Sequence, residues 1–218
     1  MAEAIVGGKP QVGGGGGSGG LYEGGLGDSD RGGWLPPGTT RRTYRTGMGL
    51  ALLAISMLFV AFTSAYIVRG GLSNDWVPIE LPPLVWLNTG LLLASSLTLE
   101  RTRRALNQGL RAHCNRWLSV TTVLGLAFLV GQWAAWRQLA DRGIYLATNP
   151  SSSFFYLLTG AHGVHLFGGV VALLYIAWEA WHYRLGPAKR TLVEVTAIYW
   201  HFMDGLWVYI LLLVWFWR

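Results

Sequence analysis

Three histidines and two carboxylates of this 218-residue chain stand where ionisable chemistry is expensive to hide. His162 and His165 lie in FFYLLTGAHGVHLFGGVVALLYIAW, and Glu194, His201 and Asp204 in EVTAIYWHFMDGLWVY. Imidazole can ligate iron, copper or zinc, pass protons, or bridge helices by hydrogen bonds. His162 and His165 are three apart, as are His201 and Asp204, so each pair shares a helix face and the second pair can bond along that face. Glu194 lies two turns before His201. A metal is the weakest of the three uses. With His113 and His182 falling in loops, too few ligands remain for a di-metal oxidase site, and two histidines three apart on one helix cannot bracket a single haem. A hydrogen-bonding role comes first, a lipid or proton-related role second and metal ligation last, all three left open by the residues alone. Other chemistries lack their groups. There is no Walker A loop and no HExxH, GAHGVHLFGG has no preceding strand, and Ser95 and Ser96 have no nearby base in sequence. The single cysteine, Cys114, read as a loop thiol, excludes an intramolecular disulfide and any CxxC site.

The histidine pair sits in an apolar run, Phe154 to Trp178, that carries no Asp, Glu, Lys or Arg before Glu179. As a helix rising ~1.5 Å per residue, it is long enough for a hydrocarbon layer ~30 Å thick. Gly160, Gly163, Gly168 and Gly169 are expected to let neighbouring helices approach, which turns the polar stripe toward protein. Four more runs of spanning length, about 47–68, 81–99, 117–136 and 193–217, make an all-α bundle of five transmembrane helices over residues 41–218, joined by loops of about a dozen residues. A hydrophobic fraction of 52% with only 13% charged residues agrees. Residues 1–40 hold about half of the 30 glycines and read as a disordered tail.

The formal charge of +6 is explained by topology, not by a nucleic-acid partner. With the N-terminus inside, thirteen basic residues fall on the inner side (Lys9, Arg31, Arg41, Arg42, Arg45, Arg101, Arg103, Arg104, Arg111, Arg116, Arg184, Lys189, Arg190). Four fall outside (Arg69, Arg137, Arg142, Arg218). That bias predicts a cytoplasmic N-terminus and a periplasmic C-terminus. Asn88, Thr89, Ser95, Ser96, Gln132 and Thr159 are expected to join helices by hydrogen bonds.

The two histidine-bearing segments also resemble a known family. Thr159, Gly160, His162, Gly163 and His165, followed by Glu194, Tyr199, Trp200, His201, Phe202, Asp204 and Trp207, reproduce the TG.HG.H and E....YWHF.D..W motifs of subunit III of haem-copper respiratory oxidases, the cytochrome c oxidase type. LPPLVWLNTGLLLASSLTLE and WLSVTTVLGLAFLVGQWAAW resemble two further helices of that family, and five spans match its short bacterial form. Ile55 and Ala135 stand where the family commonly has glutamates. The resemblance implies a subunit without redox centres in a bacterial inner-membrane complex that reduces oxygen to water and pumps protons. Haem and copper would reside in subunits I and II. This chain would contact subunit I chiefly, with subunit II, a small subunit IV and a supercomplex as further partners. It would bind phospholipid and support proton uptake, with His162, His165, Glu194, His201 and Asp204 as the residues concerned. A quinol oxidase or nitric oxide reductase accessory subunit would share the fold, and a free-standing transporter or haem-carrying cytochrome is the rival of another class.

Overall fold

The computed structural model describes residues 39–72, 76–77, 79–182 and 187–216. The glycine-rich tail expected over 1–40 falls almost wholly outside them. Five helices follow in order: α1 (Thr39–Leu72), α2 (Pro83–Asn107), α3 (Arg111–Asp141), α4 (Pro150–Trp181) and α5 (Pro187–Phe216). Each overruns its apolar run at one end or both, because helical hydrogen bonding continues into the polar flanks where Arg and Trp side chains tolerate the membrane surface. The connections are shorter than expected as a result. Only Gln108 to Leu110 separate α2 from α3, turned by Gly109 at φ 74°, which a side chain would strain. Cys114 and His113 therefore lie in the first turn of α3 and not in a loop, and Cys114 is buried.

Four helices, α1, α3, α4 and α5, are long and apolar enough to cross a membrane. Helix α2 is the exception on composition. Asn88, Thr89, Ser95 and Ser96 interrupt its apolar part, and Glu100, Arg101, Arg103 and Arg104 occupy its end. Its polar side chains are absorbed by the bundle: Asn88, Ser95 and Thr102 are all buried. Helices α2 to α5 pack as a ring in which α2 also contacts α5, while α1 lies against α4 and α5 from outside.

Helix ends are fixed locally. Asn149 caps α4 by accepting from Ser152 N at 2.9 Å, and Ser152 Oγ accepts from Asn149 N at 3.2 Å, with Pro150 at the first helical position. Arg101 lies 4.7 Å over the Trp117 ring at the α2–α3 end, and Arg137 lies 5.0 Å over Trp133 at the other end of α3.

Candidate functional site

The middle of the ring is held by one indole. Trp200 of α5 is fully buried, and its Nε1 donates to Ser95 Oγ of α2 at 2.9 Å. Two glycines make room for it. A Cβ on Gly125 of α3 would stand 2.8 Å from Trp200 Cη2, and one on Gly169 of α4 would stand 3.2 Å from Cε3. The same device recurs twice: Trp207 Nε1 donates to Thr89 Oγ1 at 3.0 Å, and Trp136 Nε1 donates to Thr159 Oγ1 at 3.2 Å. Each accepting hydroxyl donates in turn to a carbonyl of its own helix, Leu92, Val85 or Phe155. A polar side chain that would be orphaned in hydrocarbon thus becomes a joint between helices.

The glycine expectation holds only in part. Gly169 receives the rings of Tyr199 and Trp200, whereas Gly160 and Gly168 have no described neighbour in reach, and Gly163 meets only the edge of Trp136. Close approach is instead made on α3, at Gly125 and at Gly131, where a Cβ would collide with Asn88 Oδ1.

His162 and His165 diverge although three residues apart. His162 points into the ring, fully buried, with its centroid 5.2 Å from Trp207 and 6.2 Å from Phe128. Neither of its nitrogens has a hydrogen-bond partner among the described residues. His165 turns toward α1, edge-on to Phe59 at 6.0 Å, and its Nδ1 donates to Ala161 O at 2.7 Å. Tyr199 closes over the same turn by donating to His165 O at 2.7 Å.

The bond expected between His201 and Asp204 is not made. His201 Nδ1 is hydrogen-bonded to Ser96 Oγ of α2, across the helix interface. Asp204 is buried with both oxygens unbonded among the described residues, though Ser96 is near it. A side chain three residues on along α5 competes poorly with a hydroxyl facing the imidazole from the next helix. Asn88 and Gln132, expected as helix joiners, are likewise buried without a side-chain bond among the described residues, while Thr98 and Thr121 join α2 to α3 at 2.8 Å. Glu194 is half-buried on α5. Glu179 of α4 is a buried carboxylate that sequence reasoning passed over, since its place beside Trp178 reads as the end of a span. Among the described residues, no three His, Cys, Asp or Glu side chains stand together as a metal site would require.

Residues 38–218 match the family described as Cytochrome c oxidase subunit III. The chain belongs to the cytochrome c oxidase subunit III family. Cytochrome c oxidase subunit 3 of Synechocystis sp. is 32% identical over 77% of this chain and 73% of its own length. The probable cytochrome c oxidase subunit 3 of Mycobacterium bovis is 32% identical over 77% and 82%, and cytochrome c oxidase subunit 3 of Thermostichus vulcanus is 31% identical over 74% and 81%. In this subunit III chain Ala135 and Ile55 are packed as apolar core: Ala135 is fully buried on α3 and Ile55 nearly so on α1. A carboxylate at either would face protein, not water.

Proposed function

We propose that this chain is the cofactor-free subunit III of a respiratory terminal oxidase of the cytochrome c type. It stabilises the catalytic subunit I, holds phospholipid and supports proton uptake. Haem and copper belong to subunits I and II, and the complex lies in a bacterial inner membrane with the N-terminus of this chain cytoplasmic. The α2–α3 end, with Arg101, Arg103, Arg104, Arg111 and Arg116, is then the cytoplasmic end, as the positive-inside bias requires.

The observation that carries the proton-related part is the pair on the α2–α5 interface. Asp204 is a carboxyl buried within a membrane helix with both oxygens unbonded among the described residues, and one turn away the half-buried His201 is bonded to Ser96, which also lies near Asp204. An intramembrane carboxyl is costly and is retained where it meets a partner, a water path or a proton route. His162 rests its ring against Trp207 and His165 against Phe59, and both stand apart from this proton-related pair. Substituting His201→Leu together with Asp204→Leu in the assembled oxidase tests the assignment. Turnover that decays faster, or loss of this chain from the complex, is the expected result. Unchanged decay with unchanged stoichiometry would reduce the pair to packing.

A further inference from the structure

The helix joints fix a register that brings three unbonded side chains to one level. Ser95 with Trp200 and Thr89 with Trp207 set α2 against α5, and Thr98 with Thr121 sets α2 against α3. Trp136 with Thr159 sets α3 against α4, and the His162–Trp207 ring contact sets α4 against α5. In this register Asn88 lies against Gly131 of α3, Gln132 stands one turn from Phe128 and one from Trp136 on the face of α3 that meets α4, and His162, one turn from Thr159, rests against Phe128 and Trp207.

Asn88 is 1% exposed, Gln132 3% and His162 0%, and all six of their side-chain nitrogen and oxygen atoms lack a hydrogen bond among the described residues. Buried polar groups in folded proteins are almost always satisfied, and three such residues together are an unusual concentration. Each amide offers two donors and an acceptor oxygen, and imidazole offers one nitrogen of each kind. Water is the ligand that such a mixed, uncharged set fits, because it both donates and accepts and requires two to four polar partners. A metal ion would find only one strong ligand among the three. A lipid chain would leave all six atoms unbonded.

We infer that Asn88, Gln132 and His162 enclose ordered water in the middle of the four-helix ring, roofed by Trp207 and Phe128. The hydrated layer replaces direct bonds between α2, α3 and α4 at this depth, just as the Ser95–Trp200 and Thr159–Trp136 joints serve the levels on either side. It stands on the register and the unbonded atoms alone, so it survives or fails independently of any role of His201 and Asp204.

X-ray radiolytic labelling of the intact oxidase complex tests it, since radicals made from a trapped water oxidise the side chains beside that water. His162 and Trp207 should be labelled severalfold more than Trp200, an equally buried indole that contacts Ser95 and two glycines instead. Labelling of His162 and Trp207 no greater than that of Trp200 would overturn the inference. A density map of the complex showing Asn88, Gln132 and His162 bonded directly to one another, with no water peak between them, would overturn it equally.

Discussion

Adding one carbon to Gly125 probes the packing of the ring where α3 meets the Trp200 indole. The new methyl of Gly125→Ala would stand 2.8 Å from Trp200 Cη2 and 3.1 Å from Cζ2. Carbon atoms rest at about 3.5–4.0 Å, so the indole must retreat by roughly 1 Å. It has nowhere easy to go. Its opposite edge already faces Gly169 so closely that a Cβ there would meet Cε3 at 3.2 Å, and its Nε1 is tied to Ser95. Overpacking of this kind costs about 1–3 kcal/mol. For a domain of this size that corresponds to roughly 2–4 °C of melting temperature per kcal/mol. Trp200→Phe removes the crowded carbons, at its own cost, and should make Gly125→Ala nearly neutral. The double-mutant cycle should then return a coupling of about 1–3 kcal/mol. The assay is the thermal midpoint at which this chain leaves the detergent-solubilised complex, read on native gels. If Gly125→Ala costs the same in the Trp200→Phe background as it does beside the native indole, the indole is not what the glycine accommodates and the reasoning fails.

The other predictions are simpler. Thr89→Val leaves the Trp207 indole N–H without its acceptor and should lower the same midpoint by the equivalent of about 1–3 kcal/mol; a change below a degree would contradict the joint. Asp204→Leu alone should leave stability unchanged or raise it while impairing sustained turnover, because a buried carboxyl without a bond among the described residues contributes no packing that leucine cannot supply; a marked loss of stability would contradict this and point to a bonding partner in the assembly. Glu100→Gln removes ion pairs at 3.2 Å to Arg103 and Arg104 that lie toward solvent, and it should cost less than about 1 kcal/mol. Cys114, 2% exposed, should resist maleimide in the folded complex and react on denaturation; fast labelling would place it at a surface.

The architecture was legible in sequence because spanning length and lack of charge are properties of the runs themselves. Ends were less so: polar flanks such as Arg111 to Arg116 read as loop, yet they continue α3, which put Cys114 and His113 in the wrong setting. The site was half legible. Spacing identified His162, His165, His201 and Asp204 as buried or half-buried groups on two helices, but spacing within one helix cannot tell which neighbour is nearer. Hence His201 bonds Ser96, 105 residues away in sequence, in place of Asp204. Gly160 and Gly168 looked equivalent to Gly169, and only the register of α5 decides which of them receives a ring. The recognition motif itself is explained by packing. Trp200 and Trp207 are joints, Thr159 is the acceptor of a third, and His162 rests against Trp207.

In the proposed role this bundle is scaffold beside the oxygen chemistry of another subunit. Affinity purification of the tagged chain from mild detergent, followed by optical spectroscopy and metal analysis before and after stripping the chain from its partners, tests it most directly. Haem and copper are expected in the complex, carried by subunits I and II, with neither a Soret band nor stoichiometric copper on the separated chain. A chain that purifies alone, or that retains haem or copper once separated, would contradict it.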